Sequence, residues 1–124
     1  MNKKATISLI IIVFGLGLFL AILYPRSGYD RKTLDVFASC LAEKGAVMYG
    51  VAWCPHCENE KKRFGGSFKF IPYVECPDEP QKCLAAGVEG YPTWIFTAGL
   101  KFEGEQGLEK LSEISSCPLD SASK

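Results

Sequence analysis

The sequence predicts an α/β domain, a central mixed sheet flanked by helices, behind one N-terminal transmembrane helix. Three observations lead there. An uncharged stretch runs from Ala5 to Pro25, apolar runs of strand length alternate with segments of helical period, and a Cys-x-x-Cys falls where one strand hands over to a helix.

The uncharged stretch comes first in the chain. Ala5 to Tyr24 has only Thr6, Ser8 and Tyr24 as polar members, and as a helix its 20 residues would extend about 30 Å, the hydrocarbon thickness of a bilayer. A cleaved signal peptide is the competing reading, but its apolar region runs about 7–15 residues and ends in small residues, whereas this one ends Leu23-Tyr24-Pro25. An anchor over 1–25, spanning the membrane with 5–24, is therefore expected. Charge hardly orients it, since Lys3 and Lys4 are balanced by Arg26, Arg31 and Lys32. Cysteine usage does: six cysteines in a small domain read as disulfides, which persist outside the cytosol. The expected location is a single-pass membrane protein with its C-terminal domain extracytoplasmic, in a periplasm or lumen.

Residues 26–32, with Ser27 and Gly28, form a short polar linker. A domain over 33–117 follows, then a small polar tail over 118–124. Leu34, Phe37 and Leu41 recur at helical spacing until Gly45, giving a helix over Thr33 to Lys44. Ala46 to Ala52 is an unbroken apolar run, as in a strand covered on both faces. A polar helix covers Glu58 to Phe64 and stops at Gly65-Gly66. Phe68, Phe70 and Tyr73 to Glu75 suggest a strand around Pro72, and Pro77 and Pro80 turn the chain into a short helix over Gln81 to Ala86. Thr93 to Thr97 and Leu100 to Glu103 pair as a hairpin about Ala98-Gly99. Leu108, Leu111 and Ile114 share one face of a closing helix over Gly107 to Ser116.

Charge excludes one class of function. The 14 basic and 14 acidic residues become 12 and 14 once Lys3 and Lys4 are set aside with the anchor, so the domain is slightly acidic and is no nucleic-acid binder. Its cysteine content, about 6%, lies below the level at which disulfides alone hold a fold, so a hydrophobic core is also required.

Cys54-Pro55-His56-Cys57 carries the chemistry. At a strand-to-helix junction the first sulfur meets unpaired backbone N–H groups and the positive end of the helix dipole, which favour a thiolate at Cys54. Pro55 suits a first turn that needs no N–H donor, and His56 can add positive charge or a hydrogen bond to that thiolate. Cys57, one turn on, is the resolving sulfur that attacks a mixed disulfide on Cys54. A stabilised thiolate makes an oxidising couple. Half of a zinc site or an inert disulfide is the bland alternative, but Cys76 and Cys83 are too far apart to complete a tetrathiolate site of close pairs. With a single histidine, His56, triads and histidine-ligated metals lack partners. Trp53 either shields the dithiol or fills the surface beneath it, and Lys61-Lys62-Arg63 reads as a solvated helix face.

Gly90-Tyr91-Pro92-Thr93 leads into a strand, and a proline there can hold a cis bond that exposes the preceding backbone to an extended partner. Pro92 is expected to be cis and beside Cys54, with Tyr91 and Thr93 lining a substrate groove. Cys76 and Cys83 bracket a short turn and are expected to pair. By elimination Cys40 meets Cys117, where loop entropy offers roughly 4–5 kcal/mol. The alternatives are buried free thiols, or a second redox relay at Cys76 or Cys83.

These residues resemble the thioredoxin superfamily: Trp53-Cys54-Pro55-His56-Cys57 after a strand, Tyr91-Pro92-Thr93 before the next. More closely, Gly45 to Cys57 with Tyr73-Val74-Glu75-Cys76 and Gly90 to Trp94 looks like the thioredoxin-like domain fused to bacterial homologues of vitamin K epoxide reductase, and Cys-Pro-His-Cys is also the motif of the periplasmic oxidase DsbA. The resemblance implies a compact thioredoxin-like fold and a membrane-anchored thiol–disulfide oxidoreductase. It would oxidise extracytoplasmic protein thiols through Cys54/Cys57 and pass electrons to a membrane quinone reductase of the vitamin K epoxide reductase or DsbB type. No bound cofactor beyond the redox-active Cys54–Cys57 disulfide is expected. Where thioredoxin places a buried acid, six residues before the first cysteine, this chain has Met48, which removes the usual proton acceptor for Cys57. A reductase or isomerase of disulfides, and a non-catalytic peptide-binding module, are the other functions in view.

Overall fold

The computed structural model describes residues 3–23 and 28–120, with side chains in the first segment described to Phe19. Lys3–Leu23 is one helix, α1. Among the described residues no helix is long and apolar enough to cross a membrane. The expected span over 5–24 runs beyond the described side chains. So do residues 24–27, at the junction of the expected anchor and linker, and residues 121–124 of the tail.

The domain starts inside the expected linker. Asp30 is extended, its carboxylate accepts a hydrogen bond from the Thr33 hydroxyl, and helix α2 runs Arg31–Glu43 from there. It ends at Gly45, whose positive φ of 75° suits glycine and where a Cβ would fall 1.9 Å from Thr97 Oγ1. Strand β1 (Val47–Gly50) leads to helix α3 (Pro55–Phe64). The residues that looked like the start of a second strand, Phe68 and Phe70, lie instead in a 3-10 segment over Gly65–Phe70, entered through Gly65 at positive φ. Ser67, fully buried, donates its hydroxyl to Asp35 at 2.6 Å and ties that segment to α2. Strand β2 is therefore only Tyr73–Glu75. Helix α4 (Pro80–Ala85), strands β3 (Thr93–Ile95) and β4 (Lys101–Glu103), and helix α5 (Gly107–Ser115) complete the chain.

The sheet order is β2-β1-β3-β4, with β1 parallel to β2 and antiparallel to β3, which is antiparallel to β4. The sheet is mixed, and β1 is covered on both faces because its side chains alternate. Met48 points into the main core with Phe37, Leu41, Phe64, Trp94 and Leu111, drawn from α2, α3, β3 and α5. Val47 and Tyr49 pack against the opposite cluster of Val51, Val74, Cys76 and Cys83. Phe37 and Phe64 stack with ring centroids 5.9 Å apart, locking α2 to α3. This places the start of α3 at the end of the central strand.

Candidate active site

Cys54 is the N-cap of α3, with Pro55 in the first turn as an N–H donor-free residue. Its sulfur accepts the backbone N–H of Cys57 at 3.3 Å, so one of the orphan donors of the helix start is aimed at the sulfur. Cys54 and Cys57 are both free thiols. Cys54 is half-buried and reachable, while Cys57 is fully buried. Burial, reinforced by the neighbouring Cys54, pushes the Cys57 thiol up to about 12. The pair thus divides into an accessible sulfur and a shielded one.

The Tyr91-Pro92 peptide is cis, and the Cys54 thiol lies 3.7 Å from the Tyr91 carbonyl oxygen. Tyr91 stands at the surface, 41% exposed. Thr93 does not join it as a groove wall: it is fully buried, donates its hydroxyl to Gly90 O at 2.7 Å, and sits in register between Tyr49 and Glu103. As the first residue of β3 it points inward. Trp53 is 73% exposed beside the dithiol, so it fills no core beneath it.

His56 pairs with Glu105. Its Nδ1 lies 2.6 Å from Glu105 Oε1, and that carboxylate also accepts from Asn59 at 3.2 Å and Arg63 at 3.1 Å. The hydrogen bonds from His56, Arg63 and Asn59 hold the Glu105 carboxyl down to about 2. Nothing local in the sequence marks Glu105, which arrives from the loop after β4. Lys61-Lys62-Arg63 is likewise more than a solvated face. Arg63 bridges Glu60 and Glu105, and Lys61 Nζ sits 4.0 Å over the Tyr73 ring.

On the β2 side Glu75 is held at both oxygens: Oε1 accepts the Ala52 N–H at 2.8 Å and Oε2 the Tyr73 hydroxyl at 2.6 Å. Burial and the Glu75 hydrogen bond raise Tyr73, so its phenolate is disfavoured. Met48 is fully buried in the main core.

The other four cysteines form two disulfides, Cys40–Cys117 and Cys76–Cys83, with Cα atoms 5.9 and 5.8 Å apart. The first joins α2 to the end of α5, and the second joins the turn after β2 to α4. Among the described residues no cluster of histidine, cysteine and carboxylate side chains could hold a metal ion.

No protein-family model matches the chain. It is 40% identical over 89 residues to the thiol-disulfide oxidoreductase LTO1 of Arabidopsis thaliana, a match covering 64% of this chain and 23% of that protein. It is 28% identical over 120 residues to the protein disulfide isomerase-like 5-1 of Oryza sativa subsp. japonica, covering 83% of this chain and 82% of that one. The chain thus spans under a quarter of the first relative's length. The mixed sheet with its flanking helices fits a thioredoxin-like fold, and these two likenesses support thiol–disulfide oxidoreductase activity.

Proposed function

We propose that the chain is a thiol–disulfide oxidoreductase held at a membrane by its N-terminal segment and working on the extracytoplasmic side, where it oxidises protein thiols. The observation that carries this reading is the partition of the six cysteines: four are crosslinked, and the remaining two are free at the head of α3. A substrate thiolate attacks Cys54 of the oxidised pair and Cys57 leaves; a second substrate thiol then attacks the mixed disulfide and frees Cys54. Two electrons and two protons stay with the domain, to be passed to a membrane quinone reductase of the vitamin K epoxide reductase or DsbB type. The uncharged stretch from Ala5 to Pro25 supports the anchor, and the two structural disulfides support an oxidising compartment. The likeness to a disulfide isomerase-like protein favours a second reading, in which the same dithiol rearranges disulfides.

Equilibration of Cys54/Cys57 with glutathione decides the direction. A potential near about −120 mV supports an oxidase, and one near about −270 mV overturns it. The Cys57→Ala chain should accumulate substrates as mixed disulfides on Cys54; capture on Cys76 or Cys83 instead would reverse the roles.

A further inference from the structure

Cys57 is fully buried, yet disulfide exchange requires its sulfur to gain and lose a proton each cycle. With burial holding the thiol proton tightly and Met48 offering no acceptor, an exit for that proton has to be built from other groups. The titratable and charged groups that act on Cys57 are Cys54 and Lys61 from the α3 side and Tyr73 from β2, with Glu58 and Glu75 acting on Tyr73 in turn; β1 supplies glycine beside the sulfur.

That glycine is informative. A Cβ on Gly50 would lie 2.9 Å from the Cys57 sulfur and 3.1 Å from the Tyr73 hydroxyl oxygen, so the two atoms flank one vacated position and are at most about 6 Å apart. The hydroxyl in turn donates to Glu75 Oε2 at 2.6 Å, and the other Glu75 oxygen is fixed by the Ala52 N–H. Glu75 itself is only partly buried and can exchange protons with water. Lys61 over the Tyr73 ring adds positive charge where negative charge would develop.

We infer that Gly50 keeps open a passage through which the Tyr73 hydroxyl and the Glu75 carboxylate carry the proton of Cys57 to and from solvent. This rests on the reading of Cys54 and Cys57 as the working pair. In the reducing half-reaction Cys57 S–H gives its proton toward Tyr73 Oη as the Tyr73 O–H proton passes to Glu75. The Cys57 sulfur then forms a bond to the Cys54 sulfur, the bond between Cys54 and the partner breaks, and the partner thiolate leaves with the electron pair. In the oxidising direction Cys57 is the leaving group and the same proton returns. The transfer is concerted, because the Tyr73 phenolate is disfavoured. Tyr73 faces the position that Gly50 leaves open beside the reacting sulfur, and Glu75 takes the proton on from it.

The test uses the full reduced chain and dithiobis(nitrobenzoate), which liberates one coloured thiolate when Cys54 attacks and a second when Cys57 resolves. Tyr73→Phe and Glu75→Gln should leave the first release within twofold and slow the second at neutral pH by about a hundredfold, the low end of general acid–base contributions. The gap should close as pH rises and hydroxide replaces the relay. An unchanged second release in either variant overturns the relay while leaving the dithiol reading intact. Slowing of both releases, or slowing that does not depend on pH, makes Tyr73 and Glu75 structural and also overturns it. A parent chain that releases only one thiolate overturns the working pair itself, and the relay with it.

Discussion

The indole N–H of Trp94 on β3 donates to the carboxylate of Glu60 on α3 at 3.0 Å, with both side chains fully buried. The same carboxylate accepts the backbone N–H groups of Gln106 and Gly107 at 3.0 and 3.2 Å, so it caps the start of α5 from inside the fold. Glu60→Leu leaves three donors unsatisfied and should cost at least about 3 kcal/mol, at about 1–3 kcal/mol for each buried group stranded. Glu60→Gln keeps one acceptor oxygen and should cost less. Urea unfolding midpoints of the two variants give the ranking.

The two thiols should differ sharply toward alkylation. With its thiol at about 12, Cys57 is ionised to roughly one part in a thousand even at pH 9, so iodoacetamide at neutral pH should label Cys54 alone in the reduced chain. Peptide mass analysis shows which sulfur carries the label. The same shift has a thermodynamic sign. A thiol raised above its ordinary value of 9.0 favours the folded reduced form below that pH, and the stabilisation is lost as pH climbs through 9 toward 12.

Glu105 works in the opposite window. Its carboxyl is depressed from an ordinary 4.5 to about 2, so its hydrogen bonds to His56, Arg63 and Asn59 stabilise the fold fully above the ordinary value and fade as pH falls toward 2. Thermal midpoints of the parent and Glu105→Gln should therefore differ most near pH 5 and converge in acid. A difference constant across that range would contradict the assignment.

The two disulfides should contribute unequally. Cys40–Cys117 closes a separation of 77 residues and Cys76–Cys83 one of 7, and chain entropy predicts losses of about 4–5 and about 2–3 kcal/mol when each pair is changed to alanine. Neither change should alter the labelling of Cys54. A change in Cys54–Cys57 exchange after removal of Cys76–Cys83 would give that disulfide a redox part.

What the sequence revealed was whatever is written locally. The apolar run at β1, the cysteines at the head of α3 and the turn at Ala98-Gly99 need only neighbouring residues to be understood, and the structure has strand, helix and hairpin there. Phe68 and Phe70 misled because aromatic alternation imitates a strand; the tertiary tie from Ser67 to Asp35 and the turn at Gly65 make a 3-10 segment instead. The partner of His56 was hidden for a related reason. The histidine's neighbours in sequence are the cysteines, but its partner Glu105 is 49 residues away. Glu60 read as one more charge on a polar helix, and only the fold brings Trp94 and the α5 backbone to it.

The Cys40–Cys117 crosslink has a mechanical consequence. Tension applied between the start of α2 and the residues after Cys117 passes along the chain to Cys40, crosses the sulfurs, and leaves at Cys117. The intervening loop, which contains the whole sheet and the dithiol, lies in parallel with that short covalent path and carries almost none of the load. A pull on the residues after Cys117 would therefore leave the geometry around Cys54 unstretched.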